Sequence, residues 1–363
     1  MNTKTKALNE QGVSLWLDNI TRKILDDRTL EKYITELSVT GLTSNPTIFD
    51  NAISKSEDYD TAISESGQDT DSEKLFFTLA IEDIQRAADL FLPVFERTNG
   101  VDGFVSIEVS PLLAYDTEST IKAAKTIFSQ VNRPNVFIKI PGTPEGLPAI
   151  ERVIAEGIPV NVTLLFSADQ YEAAANAWLN GVEIRAGKGL NPDVRSVASV
   201  FVSRWDKAVA GKVPIGLENK LGLAVAQKTY EAYRQFLQSE RVQRLLNIGV
   251  SPQRLLWAST GTKDPAVSDV LYIENLVTPF SVNTMPENTL LAYADHGEKG
   301  DVLPPACQVT EEVLKQFREE GIDIQDLAAT LQEEGAASFT DSWNHLISSI
   351  DQKRIQVKHT NNL

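Results

Sequence analysis

From residue 13 onward the chain repeats one pattern, a short apolar run followed by a stretch of helical spacing, and this alternation limits the folds open to it more than any other feature. Strands are expected at 14–17, 39–43, 103–109, 135–140, 159–166, 196–202, 255–259 and 271–277. Helices are expected at 29–36, 71–95, 117–130, 144–156, 167–179 (with Ser167 as its N-cap) and 217–246, the last long or broken. Several of the runs are apolar on both faces, as in a parallel sheet covered by helices. Eight alternations predict a single (β/α)8 TIM barrel. A doubly wound open sheet is the alternative, but it would place a glycine-rich phosphate loop after its first strand, and Leu15-Trp16-Leu17-Asp18-Asn19 has no glycine there. The expected organisation is a polar, mobile tail at 1–12, a barrel at 13–303 and a helical extension at 304–363. The extension's helices, at 310–319, 323–334 and 338–355, have no strands to pair with and are expected to pack on the barrel. The acidic segment 54–71 reads as an exposed loop or weak helix with no part in chemistry.

Composition narrows the function. A hydrophobic content of 42% and a charged content of 23% are those of a soluble globular protein. A net charge of −16 argues against nucleic acid and anionic membrane as partners, since both reward basic surface. Cys307 is the only cysteine, which excludes an internal disulfide and cysteine metal clusters. His296, His345 and His359 are too scattered to suggest a metal site. The first residues have no signal-peptide core, and no apolar run reaches membrane-spanning length, so the cytoplasm is the expected compartment. The sequence leaves monomer and homodimer both open.

One strand contains a contradiction. In N-V-F-I-K-I-P-G-T, Lys139 stands among Val136, Phe137, Ile138 and Ile140. Burial disfavours a charged amine, and a neutral amine attacks carbonyls to form Schiff bases. The plain alternative is a lysine at a strand end that reaches water or pairs with a carboxylate. The other strand ends weigh against it. Barrel enzymes build their sites from the carboxyl ends of the strands. Those ends supply Asp18, then Thr43 and Asn45, then Glu108, Lys139, Asn161 and Thr163, then Ser199, Ser203 and Arg204, then Ser259 and Thr260. A single such residue is ordinary core polarity, whereas seven successive strands each offering one points to a site. A lysine, a nearby carboxylate and a hydroxyl or water suffice to make and hydrolyse a carbinolamine. A second carboxylate can exchange the proton of a substrate hydroxyl while a carbon–carbon bond breaks. Asp18 and Glu108 are the candidates for these two carboxylates, against a reading of both as ordinary salt-bridge partners.

At these residues the chain resembles the transaldolases, in their longer bacterial form, from about Val13 to its end. The resemblance rests on L-W-L-D-N, G-L-T-S-N-P-T-I-F, F-V-S-I-E-V-S-P, I-K-I-P-G-T, V-N-V-T-L-L-F-S, V-A-S-V-F-V-S-R and W-A-S-T-G-T-K, each at a predicted strand end and in order. It implies an enzyme of the pentose phosphate pathway, with no metal or organic cofactor, acting on small sugar phosphates. Such an enzyme moves a dihydroxyacetone unit from sedoheptulose 7-phosphate to glyceraldehyde 3-phosphate, giving erythrose 4-phosphate and fructose 6-phosphate. By the same resemblance Lys139 is the Schiff-base lysine, Glu108 works with a water and Thr163 in proton transfer, and Asp18 is the acid/base at the bond cleaved. Asn45 and Ser199 hold hydroxyls of the dihydroxyacetone unit, Asn161 and Thr43 line the same pocket, and Arg204 and Ser259 receive the terminal phosphate. Shorter transaldolases carry an arginine two residues after the serine matched by Ser259. Here that position is Gly261, and the nearest cation, Lys263, is the candidate to replace it.

Fructose 6-phosphate aldolase, in the same superfamily, is the nearest competing function. Those aldolases are shorter, lack the glutamate seen here as Glu108, and carry a tyrosine where this chain has Phe201. Phe201 leaves no extra hydroxyl to activate water against a bound intermediate; it also reads simply as a packing residue. Two readings from other classes are a barrel that binds a phosphorylated ligand without turnover and a pyridoxal phosphate enzyme. The first would need Lys139, Glu108 or Asp18 replaced. The second would need a phosphate cup that Ser259-Thr260-Gly261-Thr262 meets only in part.

Overall fold

A computed structural model describes residues 1–66, 71–262, 264–306 and 308–361, with side chains as far as residue 356. Eight parallel strands close into a barrel in chain order: β1 (Val13–Asp18), β2 (Val39–Thr43), β3 (Val105–Glu108), β4 (Val136–Pro141), β5 (Val160–Leu165), β6 (Ser196–Phe201), β7 (Arg254–Ala258) and β8 (Ser281–Met285). The seam closes where β1 pairs with β8, Trp16 opposite Thr284. Period-two alternation sorts each strand into two faces. On β4, Val136, Ile138 and Ile140 join the apolar shell shared with the surrounding helices. Phe137 belongs instead to an inner cluster with Trp16, Phe104, Val197, Leu256 and Val282. Large rings fit inside so narrow a barrel only beside small residues. At Gly41 a Cβ would lie 2.5 Å from the Trp16 indole, so β2 yields its inner volume to β1. The inner positions one step further along, toward the carboxyl ends, are polar on most strands (Asp18, Thr43, Ser106, Lys139, Ser199 and Thr284), while β7 has Ala258 there.

Three differences from the expectations have physical causes. The segment 271–277 is not the eighth strand. Leu271–Asn275 forms a short helix, with the Tyr272 hydroxyl donating to Asp206 Oδ2 at 2.7 Å, and β8 follows it. A run apolar on all sides looks the same as a buried strand or a buried helix turn. β8 escapes notice because Ser281, Asn283 and Thr284 make it polar for a strand; Thr260 Oγ1 donates to Asn283 Oδ1 at 3.0 Å. Second, residues 3–10 are ordered as a helix, Thr3–Glu10, capped by the Asn2 side chain. Asn2 also donates to the Ala294 carbonyl, and Leu8 is buried. Third, Gly335 does not break the C-terminal region: Ile324–Asn361 is one helix. Gly335 is small because a Cβ there would come within 2.9 Å of Leu164 Cδ2 as the helix crosses the top of the barrel.

That crossing is anchored far from the barrel axis. Lys353 donates to Asp60 Oδ1 and the Ser56 carbonyl, and His345 lies 2.7 Å from Asp50 Oδ2. In the acidic segment 54–71 the described residues form the short helix Asp60–Glu65 between non-helical stretches, and with the preceding helix Pro46–Lys55 it serves as the dock for the C-terminal helix. Residues 67–70 of that segment lie outside the described residues. Among the described residues no helix is long and apolar enough to cross a membrane.

Candidate active site

Lys139 stands on β4 directly opposite Glu108 on β3 and Asn161 on β5. Only 6% of it is exposed. Its ammonium donates to Glu108 Oε1 and, at 2.8 Å, to the carbonyl of Ser44 just beyond β2. Ser44 is held in turn by its own hydroxyl, which donates to the Ser106 carbonyl at 2.8 Å. Burial pushes the Glu108 carboxyl above the usual carboxylate range, and the Lys139 charge beside it pulls it part of the way back. Glu108 is therefore a stronger base than a surface glutamate and sits within proton-transfer reach of the amine. The Thr163 hydroxyl lies in the wall of the same small cavity as Glu108 and Lys139 and has no hydrogen-bond partner among the described residues.

Asp18 closes the other side of the site, at the end of β1. Its Oδ1 accepts from Thr43 Oγ1 at 2.7 Å, and Thr43 Oγ1 lies 2.6 Å from Thr284 Oγ1. With the Thr43 proton committed to the carboxylate, Thr284 donates to Thr43, giving an oriented chain from β8 through β2 to β1. Burial again pushes the Asp18 carboxyl up, offset by the Lys139 charge and by the Thr43 hydrogen bond. A second polar chain runs beneath the amine. Ser199 Oγ donates to Asn161 Oδ1 at 2.6 Å, and Asn161 Nδ2 donates to Ser106 Oγ at 3.2 Å. Asn45 caps the helix Pro46–Lys55 through its Oδ1, which accepts from the Ile48 N–H, leaving its amide hydrogens for a ligand.

At the rim of β6 and β7 lies a cationic corner. The Arg204 guanidinium stacks 5.4 Å from the Phe201 ring centroid and 5.8 Å from that of Phe339, with no hydrogen bond or ion pair among the described residues. Its N–H fork is thereby positioned with no hydrogen bond of its own among the described residues, the Glu334 carboxylate acting on it only at longer, coulombic range, and its geometry suits an oxyanion. Next to it the Ser203 and Ser259 hydroxyls are 2.8 Å apart, and Ser259 occupies the left-handed backbone region at φ 55°. Gly261 packs near Pro286 and Thr289. Lys263 lies outside the described residues. Among the described residues, no group of three or more His, Cys, Asp or Glu is arranged to hold a metal ion.

Lys139, Glu108 and Thr163 line one small cavity. Asp18 stands within coulombic reach of Lys139 and is joined to Thr43. Asn161 pairs with Lys139 across the strands and accepts from Ser199, and Phe201, Arg204 and Ser259 stand at the carboxyl ends of β6 and β7. Thr284 escaped the sequence reading because β8 was expected ten residues earlier. The proline and glutamate after Met285, which start the next helix, are the signal that could have located that strand end. Ala336 and Phe339, which roof the pocket, could not be foreseen, because nothing in a helical stretch says which barrel end it covers.

The sequence profile of the Transaldolase/Fructose-6-phosphate aldolase family matches residues 15–350. The chain belongs to this family. Three relatives bearing the name transaldolase align along nearly their whole length. That of Kocuria rhizophila is 44% identical, covering 96% of this chain and 98% of the relative. That of Parafrankia sp. is 42% identical over 97% and 98%, and that of Mycobacterium tuberculosis 43% over 95% and 96%. The family match runs from β1 to Ile350, so the part of the C-terminal helix that lines the cavity, at Ala336 and Phe339, lies within the region shared with the transaldolase/fructose-6-phosphate aldolase family.

Proposed function

We propose that the chain is a transaldolase that transfers dihydroxyacetone from sedoheptulose 7-phosphate to glyceraldehyde 3-phosphate through a Schiff base on Lys139. The observation that carries this reading is the enclosed contact of the Lys139 amine with the Glu108 carboxylate, beside the free hydroxyl of Thr163. Glu108 takes a proton from the amine, and the neutral nitrogen adds to the ketose carbonyl at C2. The resulting carbinolamine loses its hydroxyl as water, with the proton relayed from Glu108 through a water held by Thr163. Asp18 then accepts the C4 hydroxyl proton. The C3–C4 bond breaks, its electron pair flows into the iminium to give an enamine, and the aldehyde departs. An incoming aldehyde reverses these steps, and water releases the product ketose and regenerates Lys139.

Asn45, Asn161 and Ser199 would hold the hydroxyls of the three-carbon unit. Arg204 and Ser259, with Lys263 as a point charge, would hold the terminal phosphate. In this reading the partners are small sugar phosphates, neither nucleic acid nor membrane is engaged, and the enzyme works in the cytoplasm. The functional unit is the barrel at 13–303, with 304–363 as its helical cover.

Transfer and simple cleavage are told apart by the acceptor. With fructose 6-phosphate as donor, sedoheptulose 7-phosphate is expected to form only when erythrose 4-phosphate is added. Dihydroxyacetone released at the same rate without any acceptor would favour the aldolase reading. The pH profile tests Asp18 separately. The Thr43 hydrogen bond stabilises the ionised carboxylate and so lowers the pKa of Asp18. Thr43→Val removes it and raises that pKa. The base form is present only above the pKa, so the acid limb of kcat/KM should move to higher pH. A limb that stays in place, or moves to lower pH, would contradict the assignment.

A further inference from the structure

The cover helix does more than sit over the pocket. Gln332, on that helix, is buried at 8% exposure, and its Nε2 donates to two carbonyls at once: Gly142 at 3.1 Å and Leu164 at 2.9 Å. These carbonyls belong to the carboxyl ends of β4 and β5, the strands that carry Lys139 and Thr163. Gly142 also reaches across to Thr163 itself, its N–H donating to the Thr163 carbonyl at 2.8 Å. The backbone here is not one the strand would adopt unaided. Leu164 has φ 59°, a region costly for a branched side chain, and the pairing of β5 with β6 slips between Val162 and Leu165. A conformation of this kind persists only where surrounding contacts over-determine it. The contacts here are the two hydrogen bonds from one amide, together with the close pass of the helix backbone at Gly335 over the Leu164 side chain.

We propose that Gln332 is a positioning residue: by clamping the Gly142 and Leu164 carbonyls it holds the turn after Thr163, and so sets the Thr163 hydroxyl toward the Lys139–Glu108 pair. The inference rests on the reading of Thr163 as part of the proton relay. Its effect should fall on the making and hydrolysis of the Schiff base, which use Thr163. The cleavage step belongs to Asp18, on the far side of the pocket.

The test measures how fast borohydride-trappable adduct forms with fructose 6-phosphate, alongside steady-state kcat and KM, in Gln332→Met, Gln332→Lys, Thr163→Val and the Met/Val double variant. Gln332→Met keeps the length of the side chain and loses both N–H donors. It should slow adduct formation and kcat about 10- to 100-fold, in line with the cost of a small misplacement of a reacting group, with kcat/KM for the acceptor aldehyde unchanged. Gln332→Lys restores donors to the two carbonyls and should recover most of that loss. In the Thr163→Val background, Gln332→Met should cost almost nothing more, because the group it positions is gone. Wild-type rates in Gln332→Met, equal losses in the Met and Lys variants, or fully additive losses in the double variant would each overturn the proposal. Should Gln332→Met fail to fold, Gln332→Lys against Gln332→Glu carries the same contrast: the donor is active and the carboxylate, facing two carbonyls, is not. A fully active Thr163→Val would defeat the relay reading, whereas an impaired Thr163→Val beside an unaffected Gln332→Met would defeat this inference alone.

Discussion

Borohydride added in the presence of fructose 6-phosphate should fix a dihydroxyacetone-derived adduct on one peptide, at Lys139, and Lys139→Ala should yield no adduct and lose turnover by roughly 10⁴-fold or more. The size of the effect follows from the absence of a substitute. The Lys139 amine is enclosed, with its donors directed at Glu108 and the Ser44 carbonyl, and among the described residues no other lysine lines that cavity. Replacing the lysine removes the electron sink itself, which no rearrangement of neighbouring groups restores. Lys139→Arg keeps a positive charge near Glu108 but offers no nucleophilic amine, so it should be equally silent. Mass mapping decides the matter: an adduct on a different lysine, or activity surviving in Lys139→Ala, would sink the mechanism.

Asp18→Asn should produce the opposite pattern, an enzyme that captures substrate and then stalls. The substitution keeps an oxygen to accept from Thr43 and leaves the Lys139–Glu108 pair untouched. Imine formation should therefore continue, while removal of the C4 hydroxyl proton fails. Turnover is expected to fall about 10²- to 10⁴-fold, the range for loss of a positioned acid/base group. The distinguishing readout is the mass of the trapped species. The variant should accumulate the intact six-carbon sugar phosphate on Lys139, where the unaltered enzyme accumulates the three-carbon fragment. A three-carbon adduct forming at the normal rate in Asp18→Asn would remove Asp18 from the cleavage step.

How much of this was readable in advance depended on which face of a strand carried the message. Seven strands were legible because apolar outer positions such as Val136, Ile138 and Ile140 mark a strand. A polar residue at the next inner position, as with Lys139, marks its functional end. β8 keeps the polar inner end, Thr284, but not the apolar outer face, because Ser281 and Asn283 stand there; it is too polar to stand out, while the neighbouring Leu271–Asn275 is apolar enough to attract the assignment. The error hid Thr284, the outer member of the chain leading to Asp18. Gly335 misled in a different way. A glycine between two helical stretches reads as a break, yet its cause is a contact with Leu164, some 170 residues away in sequence, which no local pattern encodes. The same limit applies to Phe339 and Gln332, whose importance comes only from where the helix lands.

Closure of the barrel has a consequence for how the protein comes to work. Glu108, Lys139, Asn161 and Thr163 lie on three consecutive strands that pair with near neighbours in the chain, so they can assemble early and locally. The Asp18–Thr43–Thr284 chain exists only once the first and last strands meet, joining residues 241 positions apart. The capture side is not complete at that stage either, because the proposed clamp on the turn after Thr163 comes from Gln332, 168 residues beyond Leu164. Both halves of the proposed chemistry are therefore finished by contacts between distant parts of the chain. Competence for the transfer would arrive with the final long-range pairings of the fold.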